Sequence, residues 1–310
     1  KNFNLDNDSF EKNFALLSNF KTNNNISYII FTSGTTSKQK GVLISEKSYL
    51  DYISWTGKEF ISYRKLKSLI LTSELNFDIT FGDIAFALFS NCKIIIAKNN
   101  SNIFEIIQLI DQFKIEVMYT VPNLFKLLFN VLNKYKIEKT IKLFISGGEA
   151  LNKKICVDAK KLFPNSNFYN VYGPTECTIN ITSYKVNLKH LKNKKIVPIG
   201  KVFPHLFWKF IPTEFDKSIG ELIVGGSQLM MGYLNKNYKF LKIKNKKYYN
   251  TGDLVKIEKG QLYWLSRNDG MIKKKGLRIY TSEIDEVVES KNKNIISKTI
   301  MDNEELILFF

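Results

Sequence analysis

The chain has 310 residues, of which 44% are hydrophobic and 24% charged, and it contains 24 Phe and 15 Tyr. This composition allows one large domain or two smaller ones and excludes an extended disordered chain. The formal net charge is +17, but the lysines are scattered among asparagines and isoleucines. Because no run interleaves aromatic and basic residues, we predict no nucleic-acid partner, and no apolar run approaches the roughly 20 residues of a membrane span.

Cysteine and histidine are rare in the sequence. Three cysteines, Cys92, Cys156 and Cys177, and two histidines, His190 and His205, lack the spacing of a zinc site. This usage favours reduced thiols and a cytoplasmic protein. A hard cation held by carboxylate and phosphate oxygens is compatible with the sequence.

From Tyr28 the chain alternates between short apolar runs and helical stretches, after a polar, asparagine-rich start at residues 1–25 that predicts weak structure. The predicted strands are Tyr28–Phe31, Ser68–Thr72, Lys93–Ala97, Glu116–Thr120, Lys142–Ile145 and Asn167–Tyr172. The predicted helices are Glu46–Phe60, Ile79–Phe89, Ile103–Phe113, Pro122–Asn133 and Asn152–Phe163. This alternation predicts βαβ units and a largely parallel sheet that is covered on both faces.

After about Thr182 the chain changes to short strands separated by Gly, Pro, Asn and Lys, which predicts a β-rich subregion. Its predicted strands are Leu206–Ile211, Glu221–Val224 and Leu262–Leu265. A polar break then precedes a new unit, Met271–Ile279, and a predicted helix, Thr281–Val288. We therefore predict a large domain at 1–266, a hinge at 267–270 and the start of a small domain at 271–310. Because about 40 residues fold poorly alone, we expect this small domain to be incomplete.

The segment Thr32–Gly41 has the composition of a phosphate-binding loop. It contains hydroxyl residues, glycines and lysines directly after an apolar run and shortly before a predicted helix. Small residues let the backbone approach a phosphate, while hydroxyl and N–H groups donate to its oxygens. The segment has neither the Walker nor the Rossmann glycine pattern, and its composition also fits a polar turn.

Four further segments have residues suited to a nucleotide: Ser146–Ala150, Asn170–Glu176, Tyr249–Leu254 and Arg267–Ile279. In the second, an aromatic ring could stack on a base, a threonine could bond a phosphate and a glutamate could hold Mg²⁺. In the third, an aspartate after a predicted glycine turn could accept hydrogen bonds from a ribose diol. Each segment by itself also fits a well-made turn or a solvated hairpin.

Together these segments carry a family resemblance. Thr-Ser-Gly-Thr-Thr-x-x-x-Lys-Gly, Tyr-Gly-Pro-Thr-Glu, Gly-Glu-Leu-Ile-Val-Gly-Gly, Tyr-x-Thr-Gly-Asp-Leu and Arg-x-Asp-x-x-Ile-Lys-x-x-Gly-x-Arg-Ile occur in one order. The order resembles the adenylate-forming superfamily, which includes acyl-CoA synthetases, firefly-type luciferases and amino-acid adenylation domains. The resemblance covers roughly Tyr28 to Val288. It implies an α/β large domain with parallel sheets flanked by helices and a β-rich subdomain, followed by a hinge and an incomplete small C-terminal α+β domain.

Within that superfamily the chain is similar to the amino-acid-activating branch, including D-alanine:carrier-protein ligases. In that branch an aspartate after phenylalanine, here Asp78 after Phe77, pairs with the substrate's α-ammonium; Asp78 could alternatively cap a helix. The resemblance implies a side-chain pocket for a small or apolar amino acid shaped by Ile79, Gly82, Val171, Ile179 and Asn180.

The implied reaction is ATP-dependent activation of an amino acid as an aminoacyl-adenylate, with transfer to phosphopantetheine on an acidic acyl or peptidyl carrier protein. The resemblance implies that the β- and γ-phosphates are held by Thr32, Ser33, Gly34, Thr35, Thr36 and Lys40, and that the adenine is flanked by Gly148, Glu149 and Ala150 with Tyr172 stacked on it. The remaining implied roles are α-phosphate binding by Thr175, Mg²⁺ binding by Glu176, ribose binding by Asp253 with Arg267, a hinge at Asp269 and passage of the phosphopantetheine arm at Gly276. Thr175, Glu176 and Lys40 are the implied catalytic residues.

The chain departs from the family pattern at three positions: Ser37 stands where glycine is usual, Gln39 where proline is usual, and Tyr280 follows Ile279 in place of glutamate. The family's terminal Pro-x-x-x-x-Gly-Lys segment does not occur before Phe310, and the chain starts at Lys1. We therefore expect a fragment of a longer chain that adenylates slowly or not at all. An acyl-CoA synthetase-type ligase for a non-amino carboxylate and a non-catalytic nucleotide-binding module are alternatives.

Overall fold

A seven-stranded sheet, mostly parallel, forms the largest layer of the structure. The computed structural model describes residues 25–32, 40–100, 102–135, 137–192, 194–213, 216–234 and 237–267, and beyond these 271–274, 277–280, 284, 287–288, 290–291, 298–302 and 305–309. The order of strands in the sheet is β4-β3-β5-β6-β7-β8-β9. The strands are β3 Ser68–Leu71, β4 Lys93–Ile96, β5 Val117–Thr120, β6 Leu143–Ser146, β7 Asn167–Tyr172, β8 Thr182–Lys185 and β9 Lys201–Val202. The pairs from β4 to β7 are parallel, as predicted, and β8 and β9 join antiparallel.

The five predicted helices are confirmed, each end within one residue of its predicted position. They are α1 Glu46–Glu59, α2 Ile79–Ser90, α3 Ile103–Gln112, α4 Pro122–Leu132 and α5 Lys153–Leu162. Local capping explains several starts. The Ser45 hydroxyl accepts from the Ser48 N–H at the start of α1, and Pro122, which has no N–H to leave unpaired, begins α4.

The sheet separates two hydrophobic clusters. Helices α1 and α2 pack on one face, where Tyr119 points, and α3, α4 and α5 pack on the other, where Met118 points. Because neighbouring residues of a strand face opposite sides, β5 contributes to both clusters. Both faces are covered by helices, which explains the nearly continuous apolar runs of these strands.

The β-rich half is a second sheet in the order β10-β11-β14-β13, with β15 paired to β14. Its strands are β10 Phe207–Pro212, β11 Ile219–Gly225, β13 Leu241–Ile243, β14 Lys246–Glu258 and β15 Gln261–Arg267. The glycine turn predicted at Gly252 is wrong, since Gly252 lies inside the long strand β14. The pairing with β11 shifts register there, between Glu221 and Ile223, so the backbone forms a bulge instead of a turn.

The first predicted strand lies outside the parallel sheet, which corrects the sequence analysis. Strand β1, Ile26–Thr32, pairs antiparallel with β2, Lys40–Ser45, and β12, Gly232–Tyr233, completes this small sheet. The segment predicted to bind phosphate therefore joins two strands of a hairpin instead of a strand and a helix. The short strand β2 has only three consecutive apolar residues, Val42–Ile44, which is too weak a pattern to predict.

Beyond β15 the structure describes two hairpins. They are formed by β16 Met271–Lys274 with β17 Leu277–Tyr280, and by β18 Lys298–Asp302 with β19 Glu305–Phe309. Asp269, Gly276 and most of the predicted helix Thr281–Val288 lie outside the described residues, and the domain division stays a prediction. Within the described part of the chain, the helices are too short or too polar to cross a membrane.

Candidate functional site

Several of the predicted site residues that the structure describes lie at the carboxyl edge of the parallel sheet. The glycines after β6 pack on the strand next to them: a Cβ on Gly147 would lie 3.0 Å from Val171 Cγ2. A Cβ on Gly148, which has a φ of +88°, would lie 3.7 Å from Ile79 Cδ1 at the start of α2. The segment after β6, the end of β7 and the start of α2 therefore lie together at the edge where open α/β sheets bind ligands.

Asp253 connects this edge to the β-rich half. Its carboxylate is buried and accepts hydrogen bonds from the Tyr172 hydroxyl at 2.6 Å and from Trp264 Nε1 at 2.9 Å. Arg267 Nη1 lies 3.6 Å from Oδ2 of the same carboxylate. Burial, and then the nearby Asp253 charge, raise the pKa of Tyr172 well above its usual value, so its phenol keeps the proton that it donates. Sequence analysis missed Trp264, which no motif contains.

The bulge in β14 sets the position of Asp253. The Thr251 hydroxyl donates to Leu222 O at 2.7 Å and accepts from the Asp253 N–H at 3.1 Å. Arg267 Nη1 donates to Thr251 O at 3.0 Å, and Gly252 has a φ of +69° that favours glycine. The bulge therefore aims Asp253 at the sheet edge and places Arg267 beside it.

Glu176 lies at a second junction. It belongs to a 3₁₀ turn, Thr175–Cys177, directly after the Gly-Pro that follows β7. The Tyr233 hydroxyl donates to Glu176 Oε1 at 2.9 Å, and Lys40 Nζ lies 5.6 Å from the centroid of the Tyr233 ring. Tyr233 therefore lies between Lys40 and Glu176 and connects the small sheet to the edge of the large one. Tyr233 was not predicted.

The donor set at this junction fits a hard cation that shares its coordination with phosphate oxygens, because Glu176 offers one carboxylate. In the described ranges no three His, Cys, Asp or Glu side chains form a metal-binding group of their own. Thr32 and Lys40 pair in register at the mouth of the β1/β2 hairpin. Ser33, Gly34, Thr35 and Thr36, the other predicted phosphate-binding residues, lie outside the described residues.

Asp78 stands at the first position before α2 in a helical conformation, with φ −68° and ψ −17°, and its side chain makes no capping hydrogen bond. The structure therefore does not support the alternative that the Asp78 side chain caps this helix. Its charge raises the pKa values of Tyr28, Tyr52 and Tyr119, in each case after the larger effect of burial. The carboxylate is therefore close enough to these three phenols to act on them electrostatically.

Two of these tyrosines, Tyr52 and Tyr119, are buried and bond one amide, and neither was predicted as a site residue. The Asn180 amide donates to the Tyr52 hydroxyl at 3.0 Å and to the Tyr119 hydroxyl at 2.8 Å. A Cβ on Gly82 would lie 2.6 Å from Tyr119 Cε1 and 3.4 Å from Ile179 Cγ2. Tyr119 therefore fills the room that the missing side chain of Gly82 leaves.

The predicted adenine-binding residues lie in the connection from β6 to α5. Ser146 pairs with Asn170 across β6 and β7, so the segments that follow these two strands are neighbours. Gly148 and Ala150 are exposed at this edge, and Glu149 is half-buried. A separate cavity of about 500 Å³ lies between α5 and β8, near Cys156 and His190, and contains none of the predicted site residues.

Residues 5–234 match the family described as AMP-binding enzyme. The D-alanine--D-alanyl carrier protein ligase of Listeria monocytogenes serotype 4a is 28% identical over 83% of this chain and 53% of its own length. Bacitracin synthase 3 of Bacillus licheniformis is 29% identical over 91% of this chain and 5% of its own length. The chain thus spans about half the length of the Listeria ligase.

Among solved structures, the Vibrio cholerae adenylation domain AlmE, in complex with glycyl-adenosine-5'-phosphate, superposes with a TM-score of 0.78 at 23% identity. The match covers 96% of this chain and 60% of AlmE. At this identity the likeness shows a shared fold, which confirms the fold class expected from the sequence.

Proposed function

Because the chain belongs to the AMP-binding enzyme family, we propose that it activates a small amino acid with ATP and carries the residues of an amino-acid adenylation site. The aminoacyl-adenylate would pass to phosphopantetheine on an acyl or peptidyl carrier protein. The basic balance of the chain, +17, would suit an acidic carrier. We place the reaction in the cytoplasm, where thiols stay reduced.

The observation that carries the proposal is the placement of three carboxylates around one sheet edge, each suited to a different group. Asp78 precedes α2 without capping it, Glu176 follows β7, and Asp253 projects from the β14 bulge. A buried ammonium needs a paired carboxylate, a hard cation needs a carboxylate oxygen, and a ribose diol needs an acceptor. Asp78, Glu176 and Asp253 supply these three in turn.

The chemistry is attack of the amino acid carboxylate oxygen on the α-phosphorus of ATP, with cleavage of the bond to the β-phosphate oxygen and departure of pyrophosphate. Asp78 would hold the α-ammonium so that the carboxylate points at the phosphate, which is catalysis by positioning. Thr175 would donate to the α-phosphate and Lys40 would neutralise charge on the leaving pyrophosphate. Mg²⁺, held by Glu176 and the phosphates, would neutralise further charge when bound.

The nucleoside would lie between the two halves of the site. Tyr172 would stack on the base, opposite Gly148 and its neighbours, and Asp253 would accept from the ribose hydroxyls. The carboxylate of Asp253 has more acceptor positions than its two close donors occupy. Arg267 Nη1, 3.6 Å from Oδ2, would help to orient this carboxylate toward the ribose.

A small amino acid is proposed because Tyr119 occupies the side-chain space. With Tyr119 Cε1 only 2.6 Å from a Cβ position on Gly82, a large side chain would meet the ring. Val171 and Ile179, both buried, narrow the same space with apolar groups. Glycine- or alanine-sized substrates fit best, in keeping with the glycyl-adenosine-5'-phosphate bound to AlmE and with the D-alanine in the name of the Listeria ligase.

Amino-acid-dependent exchange of labelled pyrophosphate into ATP tests the proposal, measured over a panel from glycine to phenylalanine on a chain that includes a terminal Gly-Lys segment like the family's. We expect exchange with the smallest amino acids and a loss of about 100-fold in Asp78→Ala, since an unpaired buried ammonium is strongly disfavoured. Asp111→Ala, which removes an exposed carboxylate of α3, is the matched control. Activity that survives Asp78→Ala would indicate a non-amino carboxylate as substrate. ATP binding without exchange for any acid would indicate a nucleotide-binding module.

A further inference from the structure

A short segment between β11 and β12, Gln228–Met231, touches several parts of the site; we call it the bridging segment. Leu229 O accepts from the Ser48 hydroxyl at 3.1 Å, and the Met230 N–H donates to Glu176 O at 2.8 Å. The bridging segment therefore ties the β-rich half to α1 and to the loop after β7. No motif of the sequence analysis includes its first residue, Gln228.

The loop after β7 is strained where it approaches the substrate pocket. Thr178 and Ile179 have φ values of +58° and +70°, in the left-handed region that β-branched residues avoid. The loop also folds closely onto Gly173, since a Cβ there would lie 2.5 Å from Ile179 O. Such a conformation costs free energy and persists only where surrounding contacts hold it.

Gln228 supplies those contacts. Its side-chain amide nitrogen lies within hydrogen-bond distance of three carbonyl oxygens, those of Cys177 at 3.2 Å, Thr178 at 3.2 Å and Asn180 at 2.9 Å. Its backbone oxygen accepts from the Thr178 hydroxyl at 2.7 Å. These oxygens lie on both sides of Ile179, and Gln228 itself is 1% exposed, so the amide fixes the backbone around Ile179 in a site closed to water.

His205 fixes the direction of this amide. Its Nε2 lies 2.7 Å from Gln228 Oε1, which as a carbonyl oxygen can only accept. The His205 ring therefore donates, and the Gln228 nitrogen must point to the strained loop. The ring stacks on Phe203, with centroids 6.0 Å apart, which limits its own rotation.

We propose that Gln228 is a positioning residue that sets amino-acid selectivity: it holds the strained loop Cys177–Asn180 so that Ile179 forms one wall of the pocket beside Gly82. This inference rests on the proposed function, because selectivity presupposes an amino acid substrate. Glu176 is held separately through Met230, so the effect of Gln228 falls on the amino acid and not on ATP.

The first measurement is hydrogen–deuterium exchange of backbone amides across residues 176–181 in the chain as it stands. Gln228→Leu removes the amide and keeps an apolar side chain, and we expect faster exchange in this loop than in the wild type. Asn170→Leu is the matched control, because Asn170 is also a buried amide that bonds two carbonyls, Val197 O and Pro198 O. It faces the other side of β7 from Val171, and we expect it to leave exchange at 176–181 unchanged.

The second measurement compares pyrophosphate-exchange kinetics for glycine, alanine and valine. In Gln228→Leu we expect the KM for the preferred small amino acid to rise about tenfold, the effect of losing a neutral hydrogen bond or two, with the KM for ATP unchanged. The exchange rate with valine should fall less than the rate with glycine, because a mobile Ile179 no longer limits the size of the substrate side chain. His205→Asn, which leaves Gln228 in place, should shift selectivity in the same direction by a smaller factor.

The outcomes separate the two proposals. If Gln228→Leu leaves both loop protection and the valine-to-glycine ratio at wild-type values, the positioning role is wrong. An equal loss of affinity for every amino acid and for ATP would also contradict it, because it would indicate a general loss of structure. The same selectivity shift in Asn170→Leu would contradict it for the same reason. If the wild type with a terminal Gly-Lys segment exchanges pyrophosphate with no amino acid, the proposed function is wrong and the selectivity role with it. The hydrogen–deuterium exchange measurement still decides whether Gln228 holds the loop.

Discussion

The Tyr172 hydroxyl donates a 2.6 Å hydrogen bond to Oδ2 of Asp253, although the two residues are 81 positions apart. Tyr172 ends a strand of the parallel sheet and Asp253 lies in the bulge of β14. One hydrogen bond thus joins the residue proposed to stack on the base to the residue proposed to bind the ribose. This hydrogen bond therefore fixes the two halves of the proposed nucleotide site relative to each other.

We predict a graded loss of nucleotide affinity at this pair. Asp253→Asn removes the charge that would accept from the ribose, and we expect ATP to bind about 10- to 100-fold more weakly. Tyr172→Phe keeps the ring and loses only the donor, while Trp264 still bonds Asp253 at 2.9 Å. We expect the ATP affinity of Tyr172→Phe to fall about tenfold or less. Calorimetric titration with ATP measures both, and Tyr172→Phe weakening ATP more than Asp253→Asn would contradict these roles.

We predict that Tyr233 affects the requirement for Mg²⁺ through Glu176. Glu176→Gln should abolish most Mg²⁺-dependent exchange, because the carboxylate ligand is lost. Tyr233→Phe removes the 2.9 Å donor that orients the carboxylate, and we expect the Mg²⁺ concentration for half-maximal exchange to rise about threefold to tenfold. Tyr238→Phe is the matched control, since this neighbouring ring packs edge-on against Tyr233, with centroids 5.5 Å apart. A shift as large in Tyr238→Phe would contradict a specific role of Tyr233.

The sequence predicted the parallel sheet and its helices because their periodicities are local. Helix α4, for example, has a clear apolar stripe and a proline at its start. The β1/β2 hairpin was missed because β2 is short and follows polar residues, and the bulge at Gly252 was mistaken for a turn because both use the same residue types. Local patterns do not distinguish a turn between strands from a bulge within one.

Residues that complete the site through long-range contacts had no signal in the sequence. Gln228 bonds Cys177 across 51 positions, and Asn180 bonds Tyr52 across 128. Tyr119 lies in a buried strand and is indistinguishable from core in its pattern. The family motifs located the groups proposed to contact ligand, whereas the side chains that position those groups depend on packing between elements.

We predict that a smaller residue at position 119 widens the pocket. Tyr119→Leu frees the space beside Gly82, so exchange should shift toward larger amino acids such as valine and leucine. Loss of the buried ring should also cost about 2–4 kcal/mol of unfolding free energy. Tyr119→Phe keeps the ring and loses the hydroxyl that Asn180 contacts at 2.8 Å, so it should leave the size preference unchanged. Parallel selectivity profiles for Tyr119→Leu and the wild type would contradict Tyr119 as the limit of the pocket.

We predict that the unfolding free energy depends on pH through Asp83, which lies one turn into α2. It is fully buried, and both carboxyl oxygens have no hydrogen-bond partner within the described part of the chain. Burial raises the pKa of Asp83 well above its usual value, so the folded chain holds a proton there that the unfolded chain releases above about pH 4. The contribution is favourable below the unfolded pKa and is lost as the pH rises toward the folded pKa.

Relative to Asp83→Asn, which cannot ionise, the wild type should therefore lose unfolding free energy as the pH rises above the unfolded pKa of about 4, with a slope approaching about 1.4 kcal/mol per pH unit below the folded pKa. Urea unfolding at several pH values measures this difference, in which the constant cost of a buried neutral polar group cancels. Asp83→Glu keeps an ionisable group and should retain the slope. Wild-type and Asp83→Asn stabilities that run parallel across this range would show that the buried carboxyl is charged and stabilised by a partner.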